Sequence, residues 1–147
     1  MGDNEAMGRI TQEVVLTNVS DGALVEAGHL APEKVRKATL TVLVDTGATT
    51  LVLPEDVIQR LGIPVVRTVK TRLGNGEVIS RILHGPVRLL VLGRVVNVDV
   101  LSAPTGVPAL LGQIPLEGLD FVIDPRNQRL IPNPESPDPT MALVDLL

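Results

Sequence analysis

The stretch Leu40 to Pro54, which reads LTVLVDTGATTLVLP, constrains the fold more than any other part of the chain. Leu40, Val42, Leu43 and Val44 form a short apolar run of the kind that makes a strand buried on both faces. Asp45 closes that run. An unpaired carboxylate inside a fold is costly, so an Asp placed here has to find hydrogen-bond donors, share a proton or face a water-lined cleft. The next residues supply such surroundings. Gly47 lets another backbone or a substrate come close, and Thr46 and Thr49 bring hydroxyls that donate or accept. The chain then returns to the interior at Leu51, Val52 and Leu53.

Composition sets the outer limits. A chain of 147 residues fits one domain and buries roughly 70% of the surface its unfolded form exposes, which leaves no room for a second catalytic domain. Valine and leucine dominate the apolar content, and 12 prolines and 13 glycines punctuate it; this points to an all-β fold of many short strands rather than a helical bundle. The absence of cysteine excludes disulfides, a cysteine nucleophile and thiolate metal sites. A formal charge of −4, no Tyr or Trp and a single Phe offer neither a basic footprint nor a stacking platform, so nucleic acid is not an expected partner. The start MGDNEAMGRI lacks the apolar core of a signal peptide, and no apolar run approaches the ~20 residues of a membrane span. The expectation is a cytoplasmic protein without membrane contact.

Along the chain, Arg9 to Asn18 reads as a first strand through Ile10, Val14, Val15 and Leu16. Ser20-Asp21-Gly22 is a turn signal that predicts a second strand over Ala23 to Ala27. Gly28 to Lys37 reads as a surface loop carrying an exposed His29. Pro54 to Gly62 has the grammar of a short helix: proline at the first helical position, acids in the first turn, Arg60 near the end, Gly62 to close it, and Val57, Ile58 and Leu61 as the buried stripe. Val65 to Leu83 is a hairpin with Leu73-Gly74-Asn75-Gly76-Glu77 at its tip, where Asn-Gly favours a type I′ turn. His84-Gly85-Pro86 reads as a break with His84 at the surface, followed by strands Val87 to Leu92 and Val96 to Val100 joined at Gly93-Arg94, with Asp99 facing solvent. A loop over Pro104 to Pro108 precedes Ala109-Leu110-Leu111-Gly112, then Gln113 to Leu116, a strand over Leu119 to Asp124, a turn, and a last strand at Arg129 to Ile131. Residues 132 to 140 hold four prolines and two acids, the composition of an extended, solvated tail. For the apolar end, Met141 to Leu147, three placements stay open: docked on its own subunit, added at a dimer interface, or laid across a cleft.

By itself Asp-Thr-Gly is an ordinary strand end and turn. An apolar strand, Asp45-Thr46-Gly47-Ala48 and a second apolar run together resemble the active-site segment of aspartic proteases. One copy of the motif in a short chain is most similar to the retropepsin-like, half-size members, which assemble one site from two subunits. Leu110-Leu111-Gly112 resembles the apolar-apolar-Gly element that passes beside the catalytic turn in these enzymes, and Gly112 follows Gly47 by 65 residues. Between them lies a glycine-bearing hairpin. The resemblance implies a closed, barrel-like all-β acid-protease half-domain over 9–132 with one or two short helices, flanked by a flexible segment 1–8 and a Pro-rich tail 133–147. It further implies Asp45 as the catalytic residue, Thr46, Gly47 and Ala48 as the active-site turn, and residues 71 to 79, centred on Leu73, Gly74, Asn75 and Gly76, as a flap over the substrate.

The chemistry so implied needs two carboxylates, one to take a proton from water and one to protonate the carbonyl oxygen or leaving nitrogen. The chain offers one suitable Asp, so the implied enzyme is a homodimer cleaving extended polypeptides at apolar sites, with Asp45 facing its symmetry copy and no metal or organic cofactor. No Gly-x-Ser-x-Gly elbow, His-Glu-x-x-His, phosphate loop or dinucleotide fingerprint is present. The rival reading is a non-catalytic module of the same shape that binds a peptide or partner protein in its dimer groove.

Overall fold

A computed structural model describes residues 9–146; the segment 1–8 expected to be flexible lies outside the described residues. Strands dominate. In chain order they are β1 (Thr11–Asn18), β2 (Lys37–Val44), β3 (Leu51–Pro54), β4 (Val65–Arg72), β5 (Val78–Val91), β6 (Arg94–Ala103), β7 (Leu110–Leu111), β8 (Phe121–Asp124) and β9 (Arg129–Pro132). Three short α-helices interrupt them, α1 (Val19–Glu26), α2 (Glu55–Leu61) and α3 (Gln113–Leu119), with a 3₁₀ turn at Pro32–Lys34. The class is all-β, with one more helix than expected.

Seven strands share one sheet in the order β1-β2-β7-β3-β6-β5-β4, and β1 pairs again with the far half of β5. Six strands therefore form a ring, from which β4 and the first half of β5 project. Alternation fills the ring: Val14 and Leu16 of β1, Val87, Leu89 and Val91 of β5, and Val98 and Val100 of β6 point inward and are buried. Leu51 and Leu53 of β3 and the stripe Val57, Ile58 and Leu61 of α2 complete the core. α2 ends as its sequence requires, with Gly62 in the left-handed region at φ 63°. Pro54 stands one position earlier than expected, as the N-cap.

Several local expectations give way to longer-range contacts. The predicted strand at Ala23 to Ala27 is the body of α1. Asn18 caps that helix by accepting the Asp21 amide at 2.8 Å, while its Nδ2 donates to Leu61 O at 2.7 Å. Asp21 is buried and takes Arg36 Nε at 2.9 Å, Nη2 at 3.0 Å and the Arg36 amide at 2.9 Å. These bonds, led by the guanidinium, hold the Asp21 carboxyl down at about 2. β2 is not buried on both faces: only Val42 is fully buried, Leu40 and Val44 are half-buried, and Thr39 and Thr41 face outward. The expected break at His84-Gly85-Pro86 is a register shift inside one 14-residue strand. His84 is half-buried there, its Nδ1 lying 3.2 Å from Ile63 O.

The hairpin turns also exchange roles. At the β4–β5 tip only Gly76 has positive φ, 88°, and Gly76 N donates to Leu73 O at 2.9 Å. This is a three-residue loop closed by a left-handed glycine, not the expected type I′ turn. The type I′ signature, positive φ at both central residues, appears instead between β5 and β6, at Leu92 (49°) and Gly93 (83°).

The tail beyond β9 is tied down rather than solvated throughout. Asp120, the left-handed cap of α3, accepts from Asn133 Nδ2 at 3.0 Å, from the Leu143 amide at 2.8 Å and from the Ser136 hydroxyl, and Ser136 is buried. The Ser136 hydroxyl, then the Leu143 amide and Asn133, hold the Asp120 carboxyl below the ordinary range. Arg94 donates to Leu119 O, Asp120 O and Pro139 O, and its guanidinium lies 4.8 Å from the Phe121 ring centre. The Leu143 amide ties the chain end to Asp120, while the side chains of Met141 to Leu143 are exposed.

Candidate active site

The turn that follows β2 is clamped on both sides by the segment around β7. β2 runs parallel to β7, with Leu43 opposite Leu110 and Val44 opposite Leu111. The amide of Asp45 then donates to Leu111 O at 3.0 Å. On the far side of the turn, Gln113 N donates to Ala48 O at 2.8 Å and Ile114 N to Thr49 O at 2.9 Å. Gly112 makes this possible: a Cβ there would stand 2.3 Å from Thr50 O and 2.6 Å from Ala48 O. Gly112 is thus a point where two backbones pack closely.

Within the turn, the Asp45 carboxylate accepts the Gly47 amide at 2.9 Å, and the Ala48 amide donates to Asp45 O at 3.0 Å. A side chain at Gly47 would crowd that carboxylate, since its Cβ would lie 3.1 Å from Oδ1. Asp45, Thr46 and Gly47 are all exposed. The Thr46 hydroxyl makes no hydrogen bond within the chain among the described residues. The apolar run therefore delivers one carboxylate to the surface, held by backbone and backed by the buried Leu51, Leu53 and Leu111.

Beside the turn lies a cleft of about 840 Å³, walled by Gly47, Ala48, Thr49 and Thr50 on one side and by the β4–β5 hairpin on the other. Val52, Leu83, Leu101, Val107 and Ile114 give it an apolar floor. Of the four residues expected at the flap centre, Leu73 reaches the cleft, while Gly74, Asn75 and Gly76 form the exposed tip beyond it. Leu110 and Leu111 lie behind the turn, Leu111 fully buried.

Sequence reasoning passed over some of the wall. Asp99 is exposed as expected, yet it lines the cleft, and its carboxylate packs where a Cβ on Gly85 would be 2.1 Å from Oδ1. Arg67, Lys70, Arg72 and Arg81 also line the cleft. Their signal was the charge imbalance of the hairpin. No group of three or more His, Cys, Asp or Glu among the described residues is placed to hold a metal ion. No helix among them is long and apolar enough to cross a membrane.

A ring of short strands that presents one Asp-Thr-Gly turn, buttressed by an apolar-apolar-Gly strand and faced by a hairpin, defines a half-size protease of the acid type. The profile of the family described as Aspartyl protease matches residues 31–114, more than half of the chain and the span from the loop before β2 to the start of α3. The chain belongs to the aspartyl protease family, and its fold is that of the retropepsin-like members. Among solved structures it is similar to the EIAV protease complexed with the inhibitor HBY-793, with 26% identity, a TM-score of 0.50, and coverage of 76% of this chain and 88% of that one. No curated protein matches the sequence.

Proposed function

We propose that this protein is an aspartic endopeptidase active as a homodimer, with Asp45 of each subunit forming the reacting pair. The observation that carries the reading is an exposed carboxylate on a turn fixed by backbone hydrogen bonds at both ends, at the edge of a cleft. One such turn is half of a site. A two-fold axis through it would set the two carboxylates face to face and give the free Thr46 hydroxyls a partner across the axis.

Two facing carboxylates do not both ionise readily, so they share one proton, as is known for aspartic proteases as a class. The ionised member takes a proton from water, and the water oxygen attacks the peptide carbonyl carbon. The protonated member gives its proton to the carbonyl oxygen, and the resulting diol collapses as the departing nitrogen is protonated. The β4–β5 hairpin would cover an extended substrate, exclude water and offer backbone hydrogen bonds, as strand-adding sites do. The apolar floor fits apolar side chains next to the cleaved bond.

Incubating the protein with an unstructured, apolar-rich polypeptide across about pH 3 to 7 tests this. Cleavage is expected for the wild type, and Asp45→Asn is expected to lower it by at least about 10³-fold while leaving the dimer mass unchanged. Equal cleavage by the variant would assign the activity to a contaminant. No cleavage by either, with peptide binding retained, would favour a binding module.

A further inference from the structure

The Val65 to Leu83 hairpin carries Arg67, Lys70, Arg72 and Arg81 against Glu77, a balance of +3 inside a chain whose formal charge is −4. All four cations line the cleft. Alternation along β4 places Arg67, Val69 and Thr71 on one face, and the register sets Arg67 opposite Leu83 and Val69 opposite Arg81. Arg67 and Arg81 are thus diagonal neighbours on one face of the hairpin, close enough for long side chains to meet. Two like charges so placed repel. Arg81 is half-buried, which weakens the solvent's screening of that repulsion.

No carboxylate among the described residues pairs with them. The ion pairs among the described residues are Arg36 with Asp21 and Arg129 with Asp124. Asp99, the one acid in the cleft wall, is outside ion-pair reach of all four cations. Lys70 donates to the Ser80 hydroxyl at 2.9 Å, a neutral partner. Lys70 and Arg72 fall on the opposite, exposed face of the hairpin, whereas Arg67 and Arg81 share the face that carries the half-buried Val69, Thr71 and Leu83 and that walls the cavity beside the Asp45 turn.

We infer that the cleft selects acidic polypeptides: a carboxylate side chain of the bound segment, Glu or Asp, is held by Arg67 and Arg81, a few residues from the apolar side chains that sit on Leu83, Leu101 and Val107. Guanidinium groups suit this task because their planar forks bind carboxylates in two-point contact. Arg67 and Arg81 are specificity residues and touch no reacting atom. This inference rests on reading the cleft as the substrate site.

The test uses three peptides with one apolar cleavable core and flanking residues that are all Glu, all Gln or all Lys. For the wild type, kcat/KM is expected to fall in the order Glu, Gln, Lys, with about tenfold or more between the first and last at low salt. The spread should shrink at about 0.5 M salt, where the screening length drops to a few ångström. The double variant Arg67→Gln with Arg81→Gln should bring the ratio close to one, and Arg81→Glu should invert the order. If the double variant does not fold, Arg81→Gln alone and the wild type's salt dependence decide, and a preference indifferent to salt overturns the inference. Three peptides cleaved equally well, or Lys fastest, would overturn the acidic selection and leave the endopeptidase reading standing. Cleavage of none would remove both.

Discussion

At Gly112 one missing methyl group lets two backbones touch. Alanine there would bring its Cβ against Thr50 O and Ala48 O, at 2.3 and 2.6 Å, and both are main-chain atoms that cannot swing aside. The turn would have to shift, and with it the Gln113 and Ile114 amides that hold its far side. Gly112→Ala is therefore expected to cost about 3 kcal/mol of stability and to reduce cleavage even where the protein remains folded. Urea denaturation beside an assay at a temperature well below the midpoint separates the two effects. In the sequence Asp45 stands out as the end of an apolar strand and Gly47 as the glycine of the turn after it, whereas Gly112, which meets Ala48 and Thr50 across the fold, stands out only through the resemblance of its apolar-apolar-Gly element. Arg67, Arg81 and Asp99 were not legible there, because only the pairing of β4, β5 and β6 shows which face each strand turns to the cleft.

Among the elements, α1 shows where local signals fail. Asp21-Gly22 reads as a turn, and the helix has little amphipathic pattern to contradict it. What holds it is distant: Asn18 reaching to the end of α2, and Asp21 gripping Arg36, 15 residues on. The same Arg36 lies across Gly62, where a Cβ would stand 2.1 Å from Nη1, so one guanidinium joins α1 to the cap of α2. Acid weakens this anchorage. The folded-state pKa of Asp21 is depressed to about 2, below the ~3.9 of an unfolded chain, so its contribution is full above about pH 4 and is lost as pH falls toward about 2. Asp21→Asn should accordingly show a smaller loss of urea midpoint than the wild type between about pH 5 and pH 2.5, apart from its general destabilisation. A larger loss in the variant would contradict the assignment. The tail was misread for a similar reason: prolines mark it as extended, but Asp120, a left-handed cap with an unremarkable sequence context, gathers Asn133, Ser136 and Leu143 around one carboxylate. By contrast α2 was legible apart from the one-position shift at Pro54, because its acids, its stripe and its glycine stop all lie within the segment itself.

For the molecule as a whole, order along the chain carried the fold: strand, Asp turn, helix, hairpin and apolar-Gly element recur in the expected sequence, and the all-β class follows from them. Closure was not written in any one segment, since it depends on β1 pairing with both β2 and β5. β5 is the piece that joins the two regions. Its first half pairs with β4 in the projecting hairpin, its second half is built into the ring, and the register slips between His84 and Val87 on one side and between Val65 and Arg67 on the other, at the same level. Amide exchange should record that level as a boundary, with slow exchange at residues 87 to 91 and faster exchange at 78 to 83; uniform protection along the strand would show that no such boundary exists. The projecting hairpin beside the cleft thus has a fulcrum of its own, and a displacement of its tip is passed as leverage to the ring of strands, not spent in the swing of a free loop.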